Sequence, residues 1–157
     1  MSKMTMMDYS ITEHFEGLRL DAYQDSGKIW TIGWGHTKDV YPGMVITIEQ
    51  ARQFIVEDML ETVSLVNSLN YNLNQNQFDA LCDLVFNCGL HRLQISYPKL
   101  LEQLTEDPND IQAVTDLWLN TAIHDALGHV LTDLLTRRRL EIALYSKPIN
   151  NINNINT

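Results

Sequence analysis

The sequence predicts an α+β fold that is mainly α, and three observations support this prediction. Apolar residues recur at three- and four-residue steps over most of the 157-residue chain, the spacing of amphipathic helices. Residues 18–46 instead hold four of the seven glycines, with β-forming residues between them, which favours a small sheet of short strands. Cap residues at Thr47 and Asn74 mark the starts of long helices after that segment.

The sequence predicts six helices, one before the sheet segment and five after it. A short amphipathic helix is predicted over residues 6–17, before the sheet segment. Thr47 and Gln50 form a capping box, which predicts a helix over about 48–69. Asn74 caps a helix that ends at Gly89, a residue that favours helix termination. The remaining predicted helices cover residues 96–106, Asp107-Pro108 to about Ala122, and a cap at Thr132 to Tyr145, with a loop over 124–128.

Composition excludes several classes of protein. The net charge is −9 and no dense basic surface is evident, so we expect no nucleic-acid partner. No apolar run approaches the ~20 residues of a transmembrane helix, and residues 1–15 contain no signal-peptide core. Residues 147–157 are Asn/Ile repeats, which predict a flexible tail after one domain over 1–146.

The two cysteines, Cys82 and Cys88, lie six residues apart on a predicted helix and are interpreted as free thiols. No Cys/His group has metal-ligand spacing. A zinc site built from His124, Asp125 and His129 is disfavoured, because the five-residue step suits neither a helix nor a tight turn. We therefore expect no metal and no cofactor.

Three polar residues cluster around the sheet segment: Glu16 at a helix end, Asp25 in a turn and Thr31 on a strand. A glycosidase needs one carboxylic acid to protonate the leaving oxygen and a second carboxylate on the other face of the sugar. Taken alone, these residues could equally be a solvated acid, a turn former and a β-former. An EF-hand over 21–32 fails, because its sixth residue is Ser26 and its twelfth is Ile32.

The whole segment is more specific than those three residues. It resembles the signature of the phage-type lysozymes, E-G-x-R-x-x-x-Y-x-D-x-x-G-x-x-T-I-G-x-G-H. The matching residues are Glu16, Gly17, Arg19, Tyr23, Asp25, Thr31, Ile32, Gly33, Gly35 and His36. Gly27 stands one position earlier than in that pattern. Residues 73–81 with 86–89, and residues 128–145 with Arg137, Arg138 and Glu141, resemble two further blocks of the family.

The resemblance implies a two-lobed lysozyme-like fold, with a sheet lobe over about 18–46, a long connecting helix and a helical lobe over about 70–146. It implies hydrolysis of the β-1,4 bond between N-acetylmuramic acid and N-acetylglucosamine in peptidoglycan. By motif position Glu16 is the general acid, and Asp25 with Thr31 holds the attacking water, with inversion at the anomeric carbon. One arginine of Arg137 and Arg138 corresponds to the arginine near the acid, and the other can contact Glu141 on the same helix.

Several further residues are candidates for substrate binding or support. His36 could be a base, but we interpret it as structural, because the reaction already has an acid and a water site. Trp30 and Trp34 could stack on sugars, yet both share a strand face with Ile32, so at least one is expected to pack in the core. Asn87 and Gln94 are candidate glycan contacts by position only.

The chain also departs from the family pattern. Thr132-Asp133-Leu134 stands where Pro-Gly-Leu is usual, and the loop over residues 120–128 has one glycine instead of a pair. Its acidity gives no long-range attraction to an anionic polymer. The acidity is compatible with a basic inhibitor or immunity protein, or with delivery by another machine.

The sequence is compatible with other functions. A lytic transglycosylase would need one acid and no water site, and an inactive peptidoglycan-binding module would need none of the three residues. A helical interaction protein without enzymatic ancestry fits the density of matches over 16–36 poorly. We expect a monomer, made in the bacterial cytoplasm without a signal peptide, that acts on the periplasmic wall after release or delivery.

Overall fold

The computed structural model describes residues 3–149, which form seven α-helices and one two-stranded antiparallel sheet. The elements are α1 Ser10–Glu16, β1 Arg19–Gln24, β2 Trp30–Gly33, α2 Ile48–Ser68, α3 Gln75–Cys88, α4 Leu90–Ser96, α5 Pro98–Glu106, α6 Ile111–Trp118 and α7 Thr132–Tyr145. The mainly α fold with one small sheet between residues 18 and 46 is confirmed. Residues 150–157 of the predicted tail lie outside the described residues.

The sheet is a hairpin that a third segment extends. Tyr23 pairs with Thr31, and an irregularity in the pairing precedes Tyr23 on β1. On its other side β1 meets the segment around Val45: the Ile46 N–H donates to the Leu20 carbonyl, and the Ala22 N–H to the Met44 carbonyl, each at 2.9 Å. Strand β1 therefore lies between β2, which carries Thr31, and the segment around Val45.

The long helix α2 connects two hydrophobic cores. Its predicted capping box is present, with the Thr47 hydroxyl accepting from the Gln50 N–H and the Gln50 side chain accepting from the Thr47 N–H. Near its start Ala51 and Ile55 pack into a small core with Ile32. Further along, Met59 and Val66 belong to a larger core that α3 dominates. Two cores on one 21-residue helix are the two expected lobes.

Helix α3 is the central helix of the larger lobe. Asn74 and Gln77 form a second capping box at its start, and Gly89 ends it with a φ of 79°. Its residues from Gln77 to Val85 are all buried, and it packs against α2, α4 and α7. The predicted boundaries of this helix are confirmed.

Four predicted boundaries are wrong. The first helix begins at Ser10 and not at residue 6, because Asp79 and Asn67 bind the backbone of Met4, Met7 and Asp8 in a non-helical conformation. The helix predicted over residues 96–106 begins at Pro98 as α5. Tyr97, at φ −132° and ψ 43°, separates it from α4, a helix that the sequence did not predict.

The third error concerns α6, which Asp110 caps in place of Asp107, and which ends at Trp118 before the positive φ of Ala122. The fourth concerns α7, whose cap is Leu131; Thr132 is its first residue and provides no side-chain cap. None of the helices in the described part combines the length and the apolar surface that a bilayer span requires.

Candidate active site

Glu16 is the last residue of α1, where Gly17 ends the helix at a φ of 70°. Its side chain is 31% exposed, and its Oε1 lies 3.6 Å from Nη1 of Arg137. Gly35, in the tight turn that joins Ile32 to His36, lies against the other carboxylate oxygen. A Cβ on Gly35 would lie 3.0 Å from Glu16 Oε2, and its φ is +78°. Glu16 therefore lies between an arginine and a glycine turn.

Asp25 begins the turn between β1 and β2. Its Oδ1 accepts a hydrogen bond from the Ile29 N–H at 2.9 Å, and its own N–H donates to the Ile29 carbonyl at 3.0 Å. Lys28 has a φ of 61°, so it adopts the left-handed conformation at the position where the family pattern has glycine. Gly27 does not have a positive φ. The one-residue shift seen in the sequence thus leaves the turn intact, with a lysine in the strained position.

Thr31 is 4% exposed, and its hydroxyl donates to the Ile29 carbonyl at 3.0 Å. A threonine hydroxyl has one hydrogen, so this bond leaves its oxygen as an acceptor. Asp25 Oδ2 is an acceptor as well. Ile29 thereby orients both side chains through its backbone, and the two residues can offer acceptor atoms to the hydrogens of a water molecule.

Arg137 connects Glu16 to a buried ion network. Its Nε and Nη2 donate to the two oxygens of Asp83 at 2.9 and 2.8 Å, and its Nε lies 3.8 Å from Glu141. The Thr12 hydroxyl donates to Asp83 at 2.6 Å. Arg137 is therefore the member of the predicted arginine pair that lies beside Glu16.

Arg138 is the arginine that contacts Glu141 on the same helix, the second role that the sequence suggested. It is 0% exposed and contacts Glu141 and the Asn87 side-chain oxygen closely, and its Nε donates to the Thr121 carbonyl at 2.9 Å. The Trp118 indole N–H donates to Glu141 at 2.7 Å. Because its amide oxygen accepts from Arg138, Asn87 contributes to this network, whether or not it also contacts glycan.

Burial raises the pKa values of Asp83 and Glu141, whereas their ion pairs and hydrogen bonds to cations lower them. Burial alone would raise the pKa of Asp83, but the hydrogen bonds from Arg137 and Thr12 hold that pKa below its usual value. Burial dominates at Glu141 and raises its pKa to about 8, against the opposing effects of Arg138 and Trp118. The network therefore keeps Asp83 charged and disfavours the charge on Glu141.

His36 and Trp34 are buried within the sheet lobe. His36 is 5% exposed, its Nδ1 lies 2.9 Å from both oxygens of Asp58, and its ring stacks on Phe54 at 4.0 Å. Trp34 is 8% exposed and packs in the small core, while Trp30 is half-buried. These contacts fit the structural interpretation of His36 and the expectation that at least one tryptophan packs.

The remaining candidates are the residues of the disfavoured zinc site and Gln94. His129 pairs with Asp125 at 3.2 Å in an exposed turn, and Gln94 is exposed. Within residues 3–149, no three or more His, Cys, Asp or Glu side chains converge as a metal site. Cys82 and Cys88 are free thiols, as predicted, and burial raises the pKa of each.

Sequence reasoning missed Thr12, Asp83 and Trp118. A signal was available for Asp83, because an acid among the inward residues of α3 needs a cation, and the Arg137-Arg138 pair is the densest basic run. Two concavities of the described part do not involve Glu16. One of about 950 Å³ lies between the N-terminal segment and α2, and one of about 490 Å³ between α5 and α6.

The site combines a carboxyl group beside an arginine with a hairpin that offers carboxylate and hydroxyl acceptors, and these are groups that a glycoside hydrolase can use. The phage lysozyme family model matches residues 13–141. The chain belongs to the phage lysozyme family, and it is a peptidoglycan-degrading glycoside hydrolase.

Relatives and solved structures agree with this assignment. The chain is 38% identical over 137 residues to an endolysin of Acyrthosiphon pisum secondary endosymbiont phage 1, covering 86% of this chain and 92% of that protein. It is 40% identical over 136 residues to the endolysin of Salmonella phage P22, covering 83% and 88%.

Two solved structures show the same fold. The muramidase domain of SpmX from Asticaccaulis excentricus aligns with a TM-score of 0.75 and 33% identity, covering 88% of this chain and 93% of that one. A P22 lysozyme variant aligns with a TM-score of 0.76 and 37% identity, covering 92% and 99%. The lysozyme-like fold expected from the sequence is confirmed.

Proposed function

We propose that the chain cleaves the β-1,4 bond between N-acetylmuramic acid and N-acetylglucosamine, with Glu16 as general acid and Asp25 and Thr31 holding the attacking water. The observation that carries this proposal is the shared anchoring of Asp25 and Thr31 on the backbone of Ile29. One hydrogen bond fixes each side chain and leaves an acceptor oxygen on each. A binding module has no need of a pair of acceptors that holds a water.

Glu16 gives its proton to the leaving glycosidic oxygen. Its contact with Arg137 at 3.6 Å is longer than a hydrogen bond, so the arginine orients the carboxyl group without occupying it. After proton transfer the same guanidinium stabilises the carboxylate that forms. Arg137 is 4% exposed at its side chain, which keeps this interaction partly shielded from solvent.

Asp25 and Thr31 act on the water. Two acceptors direct both hydrogens of one water away from the sugar, so that a lone pair points to the anomeric carbon. Asp25 takes the proton as the new bond forms, because a carboxylate is the stronger base of the two. Attack from the face opposite to the leaving group inverts the anomeric centre.

Product analysis tests this reaction. Purified peptidoglycan is digested and the fragments are analysed by mass spectrometry, while proton NMR of early products reports the anomer. We expect reducing-end N-acetylmuramic acid, formed first as the α-anomer. Dominant anhydro-muramic products would instead indicate a transglycosylase, and an initial β-anomer would contradict the inverting water.

The partners other than peptidoglycan belong to this proposal as well. The net charge of −9 favours a basic partner, such as an inhibitor, an immunity protein or a component of a delivery machine. We also propose that the enzyme acts as a monomer. Size-exclusion chromatography with light scattering tests this, and a stable dimer at working concentration would contradict it.

A further inference from the structure

Asp83 is a buried carboxylate to which the proposed reaction assigns no step. It lies within α3 and is 1% exposed. It accepts two hydrogen bonds from Arg137 on α7, at 2.9 and 2.8 Å, and one from the Thr12 hydroxyl on α1, at 2.6 Å. One side chain thus joins the three helices that surround the acid.

Both of its partners lead to Glu16. Thr12 is four residues before Glu16 on α1, so the two side chains lie on the same helix face. Arg137 uses Nε and Nη2 for Asp83 and directs Nη1 to Glu16 at 3.6 Å. The position of the guanidinium beside the acid is therefore set by the two bonds to Asp83.

We propose that Asp83 is a positioning residue for the general acid: it fixes Arg137 at 3.6 Å from Glu16 and ties α1 to the same point through Thr12. This inference rests on the proposed function, because it presumes that Glu16 is the acid. Asp83 touches no reacting atom, and it acts through Arg137 and through the helix that carries Glu16.

The charges around Asp83 give the proposal a specific consequence. Arg137 and Glu141 face it from α7, Asp79 lies one turn away on α3, and Glu16 faces Arg137 from α1. Without Asp83 the charge of Arg137 is less neutralised and acts more strongly on Glu16, which favours the ionised carboxylate. An ionised acid cannot donate a proton, so the high-pH limb of activity moves to lower pH.

Asp83→Asn is the direct test, and Asp79→Asn is its matched control. Asp79 is equally buried on the same helix, but it accepts from the N–H groups of Met7 and Asp8 and from Gln75, and not from an arginine. Turnover is measured on soluble peptidoglycan fragments over a range of pH. For Asp83→Asn we expect kcat to fall about 10- to 100-fold, with KM changed less than about threefold.

We expect the high-pH limb of kcat to move to lower pH in Asp83→Asn and to stay in place in Asp79→Asn. A merely structural role would lower the melting temperature of both variants without moving that limb. If Asp83→Asn has the pH profile and the kcat of Asp79→Asn, the proposal is wrong.

Thr12 supplies a second test should Asp83→Asn not fold. Thr12→Val removes the hydroxyl without changing charge, and Thr12→Ser retains it. We expect kcat to fall about three- to tenfold in Thr12→Val and to recover in Thr12→Ser. A folded Thr12→Val enzyme with the parent kcat would overturn the link to α1. A fully active Glu16→Gln would contradict the proposed function instead, so the two failures are distinguishable.

Discussion

Replacing Gly35 with alanine tests how closely the fold confines Glu16. The φ of +78° costs a residue with a Cβ about 1–2 kcal/mol. The new Cβ would also lie 3.0 Å from Glu16 Oε2, inside the optimal separation of about 3.5 Å. The carboxyl group must therefore move by about 0.5 Å away from the turn. Since a 1 Å misplacement can cost about 10²-fold in rate, we expect kcat to fall about tenfold.

Gly43→Ala is the matched control. Gly43 has a φ of +83° in a turn of the same lobe, but no atom lies within 4 Å of a Cβ built there. Both variants should lose about 1–2 kcal/mol of unfolding free energy, measured by urea denaturation. Only Gly35→Ala should lose activity on purified peptidoglycan. Equal activity in the two stable variants would refute the close confinement of Glu16.

Three further predictions concern stability. Lys28→Gly removes a left-handed lysine and should raise the unfolding free energy by about 0.5–1 kcal/mol, whereas a loss in urea denaturation would show that Lys28 is unstrained. The pKa of the Asp83 carboxyl group in the folded protein lies below its usual value of 3.8. Its ionised form therefore contributes stability that is fully present above pH 3.8 and is lost as the pH falls through the folded pKa. Acid unfolding of Asp83→Asn should accordingly be less steep below pH 4 than that of the parent; parallel curves would contradict the lowered pKa. Thr47→Ala should cost about 1 kcal/mol by removing the cap of α2, and an unchanged melting temperature would count against this cap.

Short sequence motifs correctly predicted the helix ends that depend on contacts between residues close in the chain. The capping boxes at Thr47 and Asn74 each involve residues three apart, so the sequence alone contains the whole interaction. The same holds for Gly89, whose φ of 79° ends α3. Helix α6 shows the limit of such signals, because Asp107, Asp110 and Pro108 all offer a start and the structure uses Asp110.

The long-range part of the site could not be read from the sequence. The contact of Asp83 with Arg137 spans 54 residues, and that of Thr12 with Asp83 spans 71. Residue spacing gives no information on such pairs until the packing of α1, α3 and α7 is known. Family resemblance pointed to the arginine pair but not to its division of roles, which depends on which guanidinium faces α1.

The most direct test of the account is the turnover of Glu16→Gln on purified peptidoglycan, with Glu13→Gln as control on the same helix. Glutamine keeps the size of the side chain but cannot donate an acidic proton. We expect Glu16→Gln to lose at least 10²–10⁴-fold in kcat while it keeps its melting temperature and its glycan binding. Glu13→Gln should remain near the parent rate. A folded Glu16→Gln enzyme that releases reducing-end N-acetylmuramic acid at the parent rate would contradict the assignment of the acid.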